Sequence, residues 1–181
     1  MNGLDLIQKE IIPALDEVGK GFEEKKIYLP QLMMSAEAAE SAFGEVKARS
    51  AKGEKQENRC RVVVATVKGD VHDIGKNIVK LLLENYGFEV TDLGKDVPPE
   101  KILSAVEKLH APVCGLSALM TTTVPAMAET VELLHEKAPW CRVMVGGAVL
   151  TEDYAREIHA DGYGRDAMAS VRLAESFVQE G

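Results

Sequence analysis

Hydrophobic positions follow a helical spacing in the first quarter of the chain. Apolar residues recur there every three or four positions, as on one face of an α-helix. Pro13 interrupts the first stretch and predicts a kink or a restart, and Pro30 suits the first turn of the second stretch. We predict two helices, which need each other, a second domain or helices missing from this chain to bury their apolar faces. Those faces carry Leu4, Ile7, Ile11, Leu15, Val18 and Phe22, and then Leu32, Met33, Ala36, Ala39, Phe43 and Val46.

After residue 61 the spacing changes, and short apolar runs alternate with helical patterns. Such runs predict strands, and units of strand then helix predict a parallel sheet covered on both faces. With right-handed crossovers, the fold class is α/β, a Rossmann-like (flavodoxin-like) doubly wound sheet of five strands. The predicted strands span residues 62–67, 88–93, 113–116, 142–145 and 161–163, and the predicted helices span residues 74–86, 98–109, 124–137, 151–158 and 167–179.

A charged stretch over residues 47–61 separates the two patterns and predicts a linker. We therefore expect three parts in the chain. A small helical cap, which is a partial helix bundle, takes residues 1–49, the linker takes 50–60, and the α/β domain takes 61–181.

The composition narrows the classes of function. The 181 residues, 46% of them hydrophobic, suffice for one ordinary domain and a small appendage. The net charge of -8 argues against a nucleic-acid partner. No apolar run approaches the roughly 20 residues that cross a bilayer, and residues 1–10 lack a signal pattern, so we expect a cytoplasmic protein without a membrane partner. Cys60, Cys114 and Cys141 lie far apart and predict neither a disulfide framework nor a zinc site.

Two loops carry the polar side chains best suited to bind a ligand or to take part in chemistry. Ligands of doubly wound sheets bind beyond the carboxyl ends of the strands, where the strand order reverses. In the flavodoxin-like order this point lies between strands one and three. The loop after strand one reads KGDVHDIGKN over residues 68–77, and the loop after strand three reads SALMTTT over residues 117–123. We expect the fold to bring them together.

Asp70 and His72 are the pair that suggests a metal. In extended backbone, a carboxylate two residues before a histidine can bond one imidazole nitrogen and leave the other for a metal. Gly69 and Gly75 allow a large ligand to approach closely. The alternative interpretation is that Asp and His cap the helix that follows.

Other ligands of this fold need residues that the loops lack. A dinucleotide site needs a G-x-G-x-x-G motif, and a P-loop needs Ser or Thr after Gly75-Lys76, where Asn77 stands. A phospho-receiver domain needs an aspartate where Ser117 ends strand three. A zinc site needs further His or Cys ligands. One imidazole, one carboxylate and many small residues suit a metal whose other ligands come from a macrocycle.

These residues resemble a known signature. Asp70-Val71-His72-Asp73-Ile74-Gly75 resembles the D-x-H-x-x-G motif of cobalamin-binding domains, and Ser117-x-Leu119 and Gly146-Gly147 match its two downstream elements. The stretch YLPQLMMSAEA over residues 28–38 resembles the helical cap of methionine synthase and of corrinoid proteins of methyl-transfer systems.

The resemblance implies a role for each matching residue. His72 becomes the lower axial ligand of cobalt, Asp70 its hydrogen-bond partner, and Thr123 the third member of that relay. Ser117 meets the buried base, Thr121 the corrinoid or its tail, and Ala167 the tail. Gly146 and Gly147 leave room for the nucleotide. Phe22 and Leu29 shield the upper face, and because they are seven apart they share a side if helical; plain helix packing is the alternative. The remaining predicted contacts are Gly69, Val71, Asp73, Gly75 and Leu119.

The implied function is methyl carriage on cobalamin or a related corrinoid, alternating between methylcob(III)alamin and cob(I)alamin. In this scheme the relay couples the change to proton uptake, and the cap moves aside. The implied partners are methyltransferase subunits or domains and a reductive activase, with a homo-oligomer formed through the incomplete cap. The loop over residues 116–123 looks closer to stand-alone corrinoid proteins of methanol, methylamine or methoxyaromatic systems than to the methyltetrahydrofolate–homocysteine type.

Two other functions share the histidine loop. Adenosylcobalamin-dependent isomerase domains carry it but lack this cap, so residues 22–38 argue against them. B12-dependent sensors or regulators carry a similar cap, but they usually add a DNA-binding module that this sequence does not contain. Acceptance of a methyl group separates the carrier from both.

Overall fold

The structure is a computed structural model that describes residues 6–49 and 60–179. The chain divides into two compact units, residues 1–59 and 60–181, and each is described by itself. Leu4 and nearly all of the predicted linker, residues 50–59, lie outside the described residues. The boundaries predicted for cap and linker stay a prediction.

The first unit contains the two predicted helices. A π-helical turn, Ile7–Ile11, runs into helix α1, Ile12–Glu23, and helix α2 spans Leu29–Arg49. Pro13 lies in the first turn of α1, so the predicted interruption coincides with the change from π-helix to α-helix. The helices pack through small and branched side chains, since Leu15, Leu32, Ala36 and Ala39 are all buried.

A tight turn separates α1 from α2. Lys25 has a φ of 60°, and the backbone N–H groups of Lys26 and Ile27 donate to the carbonyl of Gly21. Phe22 therefore ends one helix and Leu29 begins the next. The condition under which both would share one side, a helix that runs through both residues, is not met, because the turn separates the two helices.

The second unit is the predicted doubly wound sheet. Its five strands are parallel and lie in the order β2-β1-β3-β4-β5, which confirms the flavodoxin-like topology. The strands are β1 Arg61–Thr66, β2 Glu89–Asp92, β3 Val113–Ser117, β4 Arg142–Gly146 and β5 Gly162–Tyr163. The helices are α3 Ile74–Asn85, α4 Pro99–Leu109, α5 Val124–Lys137, α6 Glu152–Glu157 and α7 Ala167–Gln179.

Helices cover both faces of this sheet. Helix α3 packs beside α7, and α4 packs beside α5. Alternate residues of β1, Val63 and Ala65, join the core that includes Ile102 and Met127. Cys114 and Cys141 are buried core residues, as expected for isolated cysteines in apolar runs. Because all strands are parallel, their carboxyl ends meet at one edge, where the two candidate loops emerge.

Candidate functional site

The loop between β1 and α3 carries His72 and is fixed at several points. Thr66, the last residue of β1, donates its hydroxyl to the carbonyl of His72 at 3.1 Å. The N–H of Asp96 donates to the carbonyl of Asp70 at 2.9 Å, and the N–H of Gly69 donates to the Asp96 carboxylate at 2.7 Å. Gly69 has a φ of 85°, which favours glycine there. The loop is therefore held by the segment that follows β2.

Asp70 joins this loop to the loop after β3. Its carboxylate is fully buried. One oxygen, Oδ1, accepts from the backbone N–H of His72 at 3.0 Å and bonds the His72 Nδ1 at 2.8 Å. The other, Oδ2, accepts from the N–H groups of Leu119 (2.7 Å) and Met120 (3.3 Å) and from the Thr123 hydroxyl at 2.8 Å. The predicted trio of Asp70, His72 and Thr123 is thus brought together across two loops.

The hydrogen bonds decide the charge of Asp70. Burial by itself raises the pKa of this carboxyl, but donors on His72, Leu119 and Thr123 outweigh burial and hold the pKa well below its usual range. The carboxylate is ionised at neutral pH and only accepts hydrogen bonds. The Nδ1 of His72 must therefore carry a hydrogen.

Nε2 of His72 is the atom left for a ligand. With the hydrogen on Nδ1, a neutral imidazole keeps its free electron pair on Nε2. The His72 side chain is 45% exposed, and its Nδ1 faces the buried Asp70, so Nε2 lies on the side of the ring that is turned away from the carboxylate. The helix-cap alternative does not hold, because the N-cap of α3 is Asp73, which makes no side-chain capping bond.

Large apolar side chains of the same two loops are exposed. Val71 is 57% exposed, Ile74 78% and Leu119 40%. Nothing in the second unit would meet a Cβ built on Gly75 within 4 Å. Exposed apolar side chains with open space next to them suit a large, largely apolar ligand.

The donor set also fits a macrocyclic metal complex. Within the part of the chain that the structure describes, no group of three or more His, Cys, Asp or Glu side chains could hold a metal ion. A metal at His72 would therefore need its other ligands from outside the protein. A corrinoid supplies those ligands itself and needs one axial nitrogen, so the residues present fit this cofactor.

Contacts with the neighbouring backbone restrict which residues fit at Gly146 and Gly147, and the sequence did not reveal these contacts. Gly147 has a φ of 143°, and a Cβ there would lie 1.8 Å from the carbonyl oxygen of Ala118. A Cβ on Gly146 would lie 3.1 Å from the carbonyl oxygen of Gly164. The loops after β3 and β4 therefore pack backbone against backbone at Gly147, where glycine is required whether or not a ligand is bound. At Gly146 a methyl group would meet a tight contact with the segment after β5.

The remaining predicted contacts occupy several places. Ser117 ends β3 in register with Gly146, and Thr121 is exposed in the 3₁₀ turn Thr121–Thr123. Ala167 begins α7. Phe22, half-buried, and Leu29, 40% exposed, belong to the first unit. Their roles toward a cofactor stay predictions.

Sequence reasoning missed the residues that support the loop from beneath. Thr66 of β1 and Asp96 after β2 bond the loop directly, and the buried Lys76 of α3 pairs with the partly buried Asp92 of β2 just beyond it. A signal existed for Lys76, which lies seven residues before the buried Leu83 and so on the inner side of α3. Asp96 gave none, because its partner Gly69 lies 27 residues away along the chain. Thr66 gave none, because its place at the end of an apolar strand does not reveal the bond from its hydroxyl to the His72 carbonyl.

Comparison with known families agrees with this geometry. The family described as B12 binding domain matches residues 60–172, and a second family with the same description matches residues 3–47. Dimethylamine corrinoid protein 1 of Methanosarcina acetivorans is 39% identical over 96% of this chain and 83% of its own length. Dimethylamine corrinoid protein 3 of Methanosarcina mazei is 40% identical over 91% of this chain and 99% of its own length.

Solved structures show the same likeness. A cobalamin-binding protein from Desulfitobacterium hafniense superposes with a TM-score of 0.82 at 31% identity, over 96% of this chain and 83% of that one. The methanol:cobalamin methyltransferase complex of Methanosarcina barkeri gives a TM-score of 0.83 at 34% identity, over 99% of this chain and 69% of that one. The buried Asp70 and the half-exposed His72 occur in a chain that belongs to the B12-binding family of corrinoid proteins that serve methyltransferase systems.

Proposed function

We propose that this protein carries a methyl group on the cobalt of a bound corrinoid, with Nε2 of His72 as the lower axial ligand. The observation that carries the proposal is the geometry of Asp70. A fully buried carboxylate bonds Nδ1 of a half-exposed histidine, so the imidazole presents its free nitrogen outward. A bound corrinoid supplies a cobalt atom that can accept a methyl group from one partner and give it to another.

The residues of this chain have the task of holding the imidazole. Asp70 fixes the tautomer, because an ionised carboxylate beside Nδ1 requires a hydrogen there. Leu119 and Met120 donate backbone N–H groups to the same carboxylate and so tie the loop after β3 to the imidazole. The Thr123 hydroxyl lies 2.8 Å from both Asp70 Oδ2 and the Met120 carbonyl oxygen, which positions Thr123 inside this network.

A methylated amine is the methyl donor that we propose. Support comes from the relatives named dimethylamine corrinoid proteins, which align with nearly the whole chain at 37–40% identity. The methanol:cobalamin methyltransferase complex of Methanosarcina barkeri is 34% identical and makes methanol the donor to compare. The partners in this proposal are a methyltransferase that takes the methyl group from the donor, a second that passes it on, and a reductive activase.

The test of the cofactor site is an absorption spectrum with cobalamin. Wild-type protein should displace the dimethylbenzimidazole and show a spectrum with histidine on cobalt, whereas His72→Ala should lose the histidine signature. His159→Asn is the control, because His159 is exposed and precedes β5 at the opposite edge of the sheet; asparagine tolerates its φ of 60°. Identical spectra for wild type and His72→Ala would contradict the ligand assignment.

The test of methyl carriage uses the reconstituted and reduced protein. With the dimethylamine methyltransferase of a relative, we expect methyl transfer from dimethylamine to this protein, seen by the change in the corrinoid spectrum. Methyl transfer only with the methanol methyltransferase would make methanol the donor, and the proposal that this protein carries a methyl group would stand. A protein that binds corrinoid through His72 and accepts no methyl group from methyltransferases of either system would favour a sensor instead.

A further inference from the structure

Lys76 is a buried cation at an unfavourable position in its helix. It is the third residue of α3, and its side chain is 3% exposed. A positive charge in the first turn of a helix opposes the helix dipole, and burial removes its hydration. Its Nζ lies 2.5 Å from Asp92 Oδ1 and 3.0 Å from Asn77 Oδ1. Apolar side chains of similar volume commonly stabilise a protein as well as a buried ion pair does. Stability alone therefore does not explain the pair, and the geometry that it imposes needs an explanation.

Asp92 connects this cation to the segment after β2. The carboxylate oxygen that meets Lys76 also accepts from the N–H of Gly94 at 2.9 Å. The carbonyl of Gly94 in turn accepts from the N–H of Thr66 at 2.9 Å. Burial raises the pKa of Asp92, but the bonds from Lys76 and Gly94 outweigh it and lower the pKa. The pair is therefore a charged one.

These contacts connect both ends of the loop that carries His72. Thr66 stands at the start of the loop and donates its hydroxyl to the carbonyl of His72. Lys76 stands just after its end. Both are bonded to residues 92–94, so the two ends of the loop are fixed to the same short segment.

We propose that Lys76 and Asp92 form a positioning pair that holds the first turn of α3, and through it the loop, where Nε2 of His72 can reach the cobalt of a bound corrinoid. This inference rests on the proposed function. Both residues act through His72. Through its ion pair Lys76 links α3 to β2, and an apolar residue of the same volume does not provide that link.

The experiment measures how readily cyanide displaces the histidine from cobalt in cobalamin-loaded protein. Removal of residues that orient a metal-bound histidine commonly weakens the metal bond by about 10–100-fold. We therefore expect Lys76→Met to lower the cyanide concentration for half-displacement about tenfold. The melting temperature of each protein is recorded alongside.

A double variant separates positioning from stability. Lys76→Met leaves the Asp92 carboxylate without its cation, whereas Lys76→Met/Asp92→Asn removes that charge and keeps an oxygen for the Gly94 N–H. We expect the double variant to recover melting temperature but to stay sensitive to cyanide. The control is Arg142→Met, which breaks an ion pair with Asp161 at the opposite edge of the sheet (3.0 Å) and should leave cyanide sensitivity unchanged.

Two results would overturn the positioning role. One is wild-type resistance to cyanide in Lys76→Met, or in the double variant if the single variant does not fold. The other is recovery of cyanide resistance together with melting temperature in the double variant. A wild-type protein that shows no histidine on cobalt would instead contradict the proposed function, before any variant is compared.

Discussion

Asp70 organises the candidate site at the scale of single residues. Its two oxygens receive donors from both loops, and every donor favours the ionised carboxylate. The orientation of the His72 ring follows from that charge and needs no ligand to maintain it. The site is therefore preorganised, since the residues that present Nε2 already hold each other.

Gly147 and Gly75 are glycines for different physical reasons, and an alanine substitution at each position distinguishes those reasons. Gly147→Ala places a methyl group against the Ala118 carbonyl in a strained backbone conformation. We expect it to lower the free energy of unfolding by about 2–4 kcal/mol, measured by urea denaturation. Gly75→Ala meets no protein atom within 4 Å and lies inside α3, so its stability should change by less than about 1 kcal/mol.

The same pair should respond differently to cobalamin. If Gly75 leaves room for the ligand, Gly75→Ala should bind cobalamin more weakly in a spectral titration although the free protein is as stable as wild type. Unchanged cobalamin affinity in Gly75→Ala would remove this glycine from the site. Full stability of Gly147→Ala would contradict the backbone contact.

At the scale of elements, the carboxylate of Asp161 organises a cluster of contacts at the edge of the sheet opposite the site. Asp161, just before β5, accepts from the N–H of Val143 at 2.7 Å, bonds His135 Nε2 at 3.0 Å and pairs with Arg142 at 3.0 Å. It thereby joins α5, β4 and β5. Burial raises the pKa of Asp161, but the bonds from Val143, His135 and Arg142 outweigh burial and lower it.

The lowered pKa predicts how this cluster responds to acid. A carboxyl whose folded pKa is below its unfolded value stabilises the protein above the unfolded pKa and loses that contribution as the pH falls through the folded one. We expect Asp161→Asn to cost about 1–3 kcal/mol at pH 7 and progressively less below about pH 5. Urea denaturation at several pH values measures this, with the exposed Asp153→Asn as control. An equal cost at every pH would show that the charge of Asp161 contributes nothing.

The elements themselves were largely predictable, because apolar runs and helical periods are local properties. The flavodoxin-like order was consistent with the rules for parallel sheets, and it predicted that the loops over residues 68–77 and 117–123 meet. The trio of residues 70, 72 and 123 was predicted from the family resemblance. Helical spacing placed Lys76 on the inner side of α3, but its pairing with Asp92 and the support from Asp96 were not predictable, since they depend on contacts between separate segments of the chain. The backbone contact of Gly147 was also hidden, because a glycine in the sequence is equally compatible with close backbone packing and with room for a ligand.

At the scale of the whole molecule, the two compact units correspond to two family matches, residues 3–47 and 60–172. Relatives align across both, so the units recur together. No helix among the described residues is long and apolar enough to cross a membrane. The second unit contains its own buried core and every residue of the His72 network.

This division predicts that the second unit functions without the first as a binding module. A fragment of residues 60–181 should unfold cooperatively, by circular dichroism, and should bind cobalamin with the histidine on cobalt. The full chain measured in parallel is the control. A fragment that is unfolded, or that binds cobalamin without the histidine signature, would show that the first unit is required to form the site.

The bond between Nε2 of His72 and cobalt is the central claim, and electron paramagnetic resonance of the cobalt(II) corrinoid bound to the protein tests it most directly. Protein with ¹⁴N-histidine should show each cobalt line split into a triplet by one axial nitrogen. Protein with ¹⁵N-histidine should show a doublet, because ¹⁵N has half the nuclear spin of ¹⁴N. A triplet that persists after ¹⁵N-histidine labelling would mean that the axial nitrogen belongs to the corrinoid tail and not to His72.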